Sequence, residues 1–263
     1  MAYTVNCSIL LTELPLLERP AAAKKAGFDN VEFWWPFAEA VPADPEVERF
    51  VSALADAGVQ LTGLNFLAGD MPAGDRGIVS WSGREKEFAD NIDVVAAIGQ
   101  STGCRAFNAL YGNRQDGQSA AEQDELGLAN LVAAARGVAT IDGTVLLEPV
   151  SGTEAYPLKT AADALGVIAK TREAGVDNVK LLADFYHMAV NGDDVADVVE
   201  QHAADFGHIQ IADNPGRGAP GTGNLPLGEW IDRSRAKGYN GPIGLEYKAT
   251  AENAFDWLIR QGA

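Results

Sequence analysis

Eight short apolar runs, each followed by a stretch with helical spacing, limit what this chain can fold into. The runs are Val5–Leu10, Asn30–Trp35, Val59–Phe66, Cys104–Tyr111, Thr144–Pro149, Val179–Asp184, His208–Ala212 and Ile243–Glu246. The stretches between and after them are Leu14–Ala26, Pro45–Ala57, 85–100, Ala120–Ala139, Ala161–Ala174, Val195–Phe206, Leu227–Lys237 and Glu252–Arg260. In Pro45–Ala57, for example, Val47, Phe50, Val51 and Leu54 recur three and four apart, as one buried helix face requires. Gly27, Gly58, Gly175 and Gly238 close four of the helices. Strict strand–helix alternation predicts a parallel sheet, because parallel neighbours need a crossover between them. Eight units fill 263 residues and match a closed (β/α)8 barrel, which takes ~250. We therefore expect one α/β domain over residues 1–263, a TIM barrel, with an open doubly wound sheet as the alternative.

In such barrels the reactive side chains gather at the C-terminal ends of the strands. There the runs end on or near Glu32, Asn65, Asn108, Glu148, Asp184, Gln210 and Glu246. Strands five to eight thus offer Glu148, Asp184, Gln210 and Glu246 in succession. Carboxylates crowded at an apolar barrel mouth repel one another and lose hydration, and a bound divalent cation offsets both costs. An all-oxygen set suits a hard ion, Mg2+ or Mn2+, better than zinc, which prefers His and Cys. A cation bridging a carbonyl oxygen and the adjacent hydroxyl acidifies the C–H between them. Two carboxylates on opposite sides can then take a proton from one carbon and return it to the next. Glu148 and Glu246, on strands five and eight, are the candidates, and the expected chemistry is aldose–ketose isomerisation or epimerisation.

The most irregular loop follows strand seven: Gly207–Gly223 reads GHIQIADNPGRGAPGTG. Gly216–Gly221 formally satisfies G-x-G-x-x-G, yet Pro220 and Pro226 interrupt the helix a dinucleotide fingerprint opens into, and too little chain follows. The net charge of −17 opposes nucleic-acid binding. It also requires a local cation if the substrate is an anion. Cys7 and Cys104 lie in strand-like runs rather than metal or redox spacings, so reduced core thiols and a reducing cytoplasm are expected. The N-terminus lacks a basic region and no run reaches the ~18 apolar residues of a membrane span. A soluble, cytoplasmic protein without membrane partners is the expectation.

The strand-seven loop, GLEYKA (Gly244–Ala249) and the D-x-Y-H-M run Asp184–Met188 together resemble the hydroxypyruvate isomerase family, a branch of the xylose-isomerase-like TIM barrels. TELPLLER near the start, AGDRGI (Ala73–Ile78) and SGRE (Ser82–Glu85) are similar to the same family. The resemblance implies interconversion of hydroxypyruvate and 2-hydroxy-3-oxopropanoate (tartronate semialdehyde), with Glu148, Asp184, Gln210 and Glu246 as metal ligands and the two Glu as acid/base pair. It implies substrate contacts by His187 and Arg217, and a supporting Glu154 that orients one of them. His208 points into the core or toward a ligand, His202 lies on a helix surface, and Trp34, Trp35 and Phe66 either exclude water or belong to the core. An oligomer acting on a small hydroxy-oxo acid or sugar is also implied.

Two loops depart from the family pattern: EPVSG, with Ser151 and Gly152 where EPIN is usual, and the aromatic WWPFAEAVPADP after strand two. Both lie where substrate size is set. Isomerisation of a 2-oxo-tetronate and ketose 3-epimerisation are therefore retained as alternatives. A metal-dependent hydrolase or endonuclease on this barrel uses a His-rich zinc cluster, which three histidines cannot supply. A non-catalytic sugar-acid binder would need neither Glu148 nor Glu246, and both are present.

Overall fold

The computed structural model describes residues 3–250 and 252–261. Eight parallel strands close into a barrel in chain order, and β8 pairs back onto β1. They are β1 (Tyr3–Asn6), β2 (Asn30–Phe33), β3 (Gln60–Asn65), β4 (Ala106–Asn108), β5 (Thr144–Leu147), β6 (Val179–Asp184), β7 (Phe206–Ile211) and β8 (Ile243–Leu245). The helices are α1 (Arg19–Lys25), α2 (Asp44–Ala57), α3 (Glu85–Thr102), α4 (Ala120–Ala139), α5 (Ala161–Glu173), α6 (Phe185–Asn191), α7 (Val195–His202), α8 (Leu227–Ala236) and α9 (Asp256–Gln261). The closed (β/α)8 barrel is thus the one read from the alternation, and the open sheet is excluded. Short strands buried on both faces explain why the runs were continuously apolar rather than alternating.

Apolar side chains between the barrel and its helices make the core. Phe50 of α2 meets Phe33 of β2 edge-on at 5.2 Å between ring centroids, and Phe66, just past β3, packs on Phe88 of α3 and Phe107 of β4. Cys7 and Cys104 are buried and unbridged, and burial pushes both thiols up to about 12. Among the described residues no helix is long and apolar enough to cross a membrane.

The boundaries differ where side chains compete with the strand ladder. β1 stops at Asn6 instead of Leu10, because Asn6 Oδ1 accepts the Ser8 N–H at 3.0 Å and turns the chain. Leu10 and Leu11 are then buried in a turn rather than a strand. The helix expected over Val195–Phe206 ends at His202, passes through a short 3-10 turn, and Phe206 already opens β7. The last helix begins at Asp256, behind a turn, rather than at Glu252. Helix α6 was not anticipated, and it positions part of the site.

Candidate active site

Asp184 ends β6 and caps α6 with the same side chain. Its Oδ1 accepts the backbone N–H groups of Tyr186 (2.8 Å) and His187 (3.1 Å), so the strand turns directly into a helix. The other oxygen, Oδ2, is buried with no hydrogen-bond partner among the described residues. The cap puts His187 in the first turn of α6, with Nε2 3.8 Å from Asp184 Oδ2 and 3.9 Å from Glu148 Oε1. At the far side of the ring, Nδ1 receives the Ser151 backbone N–H at 3.0 Å and lies 2.7 Å from Ser151 Oγ. A backbone N–H can only donate, so Nδ1 is the acceptor nitrogen and a neutral ring carries its hydrogen on Nε2, toward the carboxylates. Burial, then the Arg217 charge, holds the His187 pKa down to about 3, so the ring is neutral.

Glu148, just past β5, is buried, and its Oε2 accepts from Asn108 Nδ2 at 2.7 Å. Glu246, just past β8, is held by three donors. Asn6 Nδ2 (3.0 Å) and Trp34 Nε1 (2.8 Å) bond to Oε1, and Arg217 Nη2 pairs with Oε2. Arg217 Nε also reaches the Glu246 backbone carbonyl at 3.3 Å, which leaves Nη1 without a partner among the described residues. Arg217 itself sits in left-handed backbone, φ 54°, over the ring of Tyr186. Its loop is built on Asp213, whose buried carboxylate collects the backbone N–H groups of Asn214, Gly221 and Leu225.

Gln210 pairs in register with Asp184 across β6 and β7. Its Nε2 donates to Glu32 Oε1 at 2.7 Å, and its Oε1 is buried without a partner among the described residues. His208, two residues earlier on the same face, bonds through Nε2 to Glu32 Oε2 at 2.7 Å. His208 therefore points into a buried polar network rather than to a ligand. His202 is half-exposed on its helix, as expected.

One donor atom each from Glu148, Asp184, His187 and Glu246 lies within 4.8 Å of the others. Burial raises the pKa of all three carboxyls. For Glu148 the neighbouring Glu246 and Asp184 charges add to it, and for Asp184 and Glu246 the Arg217 charge opposes it. Burial also works against the Arg217 charge, and the three carboxylates outweigh it. Three carboxylates against one guanidinium leave two negative charges, with His187 neutral. That charge, the clustered oxygens and the orphaned Asp184 Oδ2 and Gln210 Oε1 fit a hard divalent cation. His187, with hydrogen on Nε2, is a donor there and not a ligand.

The cluster opens into a cavity of about 900 Å3 whose lining includes Trp34, Trp35 and Phe37 as well as Glu148, Ser151, His187, Arg217 and Glu246. The aromatic strand-two loop thus becomes a wall, and Trp34 is also a donor to Glu246. Phe66 belongs to the core. The expectation for Glu154 is corrected: it is exposed, and among the described residues its side chain bonds to neither Arg217 nor His187. Ser151 orients His187 instead, because the chain after Glu148 turns inward at Ser151 and outward beyond it. Asn6 and Asp213 escaped the sequence reading. Asn6 lay inside a run taken as strand, and Asp213 beside a loop where a carboxylate is ordinarily solvated.

A family model described as xylose isomerase-like TIM barrel matches residues 20–261. A Streptomyces coelicolor protein provisionally named hydroxypyruvate isomerase is 52% identical over 97% of this chain and 95% of its own. The Escherichia coli hydroxypyruvate isomerase is 32% identical, with 98% of each chain covered. Among solved structures, a Brucella melitensis protein described as an AP endonuclease of family 2 superposes with a TM-score of 0.88 at 29% identity, covering 98% of each chain.

Proposed function

This chain belongs to the xylose isomerase-like TIM-barrel family, in its hydroxypyruvate isomerase branch, and is an isomerase; we propose that it interconverts hydroxypyruvate and 2-hydroxy-3-oxopropanoate with the help of a divalent cation, Mg2+ or Mn2+. Glu148, Asp184, Gln210 and Glu246 would hold the ion, and Glu148 and Glu246 would be the acid/base pair. The observation that carries this reading is a buried cluster of three carboxylates beside two orphaned oxygens, Asp184 Oδ2 and Gln210 Oε1. When bound, the cation supplies positive charge to the substrate oxygens as the C–H proton leaves.

The residues divide the work by their surroundings. Glu246 accepts from three donors, which favours its ionised form, and it takes the proton from C3 of hydroxypyruvate. The electron pair left behind forms the C2=C3 bond of an enediolate while the C2 carbonyl becomes an oxyanion. Glu148, on the strand across the site from Glu246, returns a proton to C2. The C3 oxygen closes to the aldehyde and its hydroxyl proton passes to O2; Glu246 then releases its proton to solvent and Glu148 takes one back, so the atoms balance as an isomerisation. His187 Nε2–H donates to a substrate oxygen. Arg217 Nη1, the end not committed to Glu246, takes the substrate carboxylate.

Proton NMR of hydroxypyruvate in D2O with Mg2+ or Mn2+ tests the reading, with 2-oxo-tetronates and ketohexoses as competing substrates. Formation of 2-hydroxy-3-oxopropanoate carrying deuterium at C2 is expected. Turnover of no hydroxy-oxo acid with either ion would overturn it. Arg217→Lys is expected to raise KM for hydroxypyruvate by about 10-fold or more and to lower kcat less, since a lost charged hydrogen bond costs ~1.5–3 kcal/mol. A fall in kcat at unchanged KM would confine Arg217 to holding Glu246.

A further inference from the structure

Glu32 on β2 is buried below the cluster and has no part in the chemistry described so far. It accepts from three side chains: Asn6 Nδ2 at 3.1 Å, Gln210 Nε2 at 2.7 Å and His208 Nε2 at 2.7 Å. We propose that Glu32 is a positioning residue that holds the Gln210 carboxamide with its oxygen, not its nitrogen, turned to the metal; this rests on the reading of Gln210 as a ligand.

The orientation follows from donors that cannot be reversed. The Ser8 backbone N–H donates to Asn6, so the atom it meets is the Asn6 oxygen, and the Asn6 nitrogen must be the one facing Glu32 and Glu246. Glu32 Oε1 is therefore an acceptor. A second acceptor 2.7 Å from it would be repelled, so Gln210 presents its NH2 there, and its Oε1 stands on the opposite side of the amide. That oxygen is buried and unpartnered, and Gln210 is paired in register with Asp184, whose Oδ2 is likewise unpartnered. Without Glu32 nothing in this geometry distinguishes the two ends of the amide, and an NH2 cannot ligate a cation.

The neighbouring strands make room for the arrangement. A Cβ on Gly244 of β8 would lie 2.6 Å from Gln210 Cγ, 2.9 Å from Glu32 Oε1 and 3.0 Å from His208 Nε2. One on Gly63 of β3 would lie 3.2 Å from Glu32 Cβ. His208 bonds to the second oxygen of Glu32 and keeps the carboxylate from turning away. The rival partner for Gln210 Oε1 is a water in the void beside it, a space of about 10 Å3 also bounded by Asn108 and Leu182. That is the least volume that holds a water.

Glu32→Leu separates these accounts, because it removes the acceptor that Asn6 Nδ2 and Gln210 Nε2 share and lets Gln210 present either end. Titration calorimetry of Mn2+ into the full chain is expected to show about 10–100-fold weaker binding, the usual effect of losing a residue that orients a ligand. Adding Gln210→Glu to that variant is expected to restore affinity to within a few-fold, since a carboxylate offers oxygen either way up. A merely structural role for Glu32 would not be rescued in this way. Thermal unfolding checks the fold, and if Glu32→Leu does not fold, Glu32→Asp, which withdraws the carboxylate from Gln210, replaces it with the same expected direction. Wild-type-like Mn2+ binding in the variant, or a loss that Gln210→Glu does not rescue, would overturn the proposal and leave the metal reading standing. Absence of Mn2+ binding by the wild-type protein would instead overturn the metal reading, and this inference with it.

Discussion

Glu246→Gln is expected to lower kcat for hydroxypyruvate by about 100- to 10,000-fold, the usual contribution of a positioned general base. Deuterium exchange from solvent at C3 is expected to disappear with it. The fold should persist, because the substituted amide keeps its oxygen for Asn6 Nδ2 and Trp34 Nε1 and loses only the Arg217 Nη2 hydrogen bond, whose donor its NH2 then faces. NMR of recovered substrate in D2O reads the exchange, and circular dichroism reads the fold. Exchange at the wild-type rate in a folded variant would remove Glu246 from the proton path. Exchange that persists without net turnover would leave Glu246 as the returning acid and make Glu148 the base toward hydroxypyruvate.

The second large effect concerns stability and runs opposite to the usual cost of mutating a buried residue. Glu148→Gln is expected to stabilise the metal-free protein at neutral pH. The sign follows from the raised carboxyl. A folded-state value above the unfolded one means that folding binds a proton at this site. The stability of the metal-free wild type therefore falls as pH rises from the ordinary glutamate range through the raised folded value, and the amide variant lacks that decline. The Asn108 hydrogen bond survives, because the amide oxygen can still accept it. Saturating Mg2+ or Mn2+ is expected to reverse the order. Wild type gains about 2.7 kcal/mol at an ion concentration 100 times Kd, whereas the variant gains little. Differential scanning calorimetry with and without chelator reads both differences, at about 2–4 °C per kcal/mol for a chain of this size. A metal-free variant less stable than wild type would show that the three carboxylates are not in mutual conflict.

Much of the site was legible because a barrel brings strand ends together whatever their distance in sequence. Glu148, Asp184 and Glu246 lie on different strands, yet each follows an apolar run that stops at a polar residue, and they meet within one cluster. The D-x-x-H spacing of Asp184 and His187 was visible too, although its cause was not: Asp184 caps a helix whose first turn holds the histidine. Glu154 misled because spacing from Glu148 says nothing about how a loop turns. Past the strand end, backbone dihedrals decide which side chains face inward, and here they favour Ser151. Asn6 was hidden inside an apolar run that continues past it as a buried turn.

Alternation of strand and helix was enough to dictate a parallel sheet, because parallel strands need crossovers, and eight units that leave no chain over favoured closing it into a barrel. It also dictated which residues stand at the mouth, since each apolar run stops where the barrel interior stops. Partnership was decided only by the tertiary structure. The family resemblance offered Arg217 as a substrate contact; in the folded chain one edge of its guanidinium is committed to Glu246 and, among the described residues, only Nη1 is left over. Sequence placed Gln210 as one polar strand end among several; Glu32, Asn6 and Ser8, from two other strands and a turn, set which end of its amide is free. A side chain's type follows from local sequence, but its orientation depends on donors and acceptors that are adjacent only once the barrel has closed.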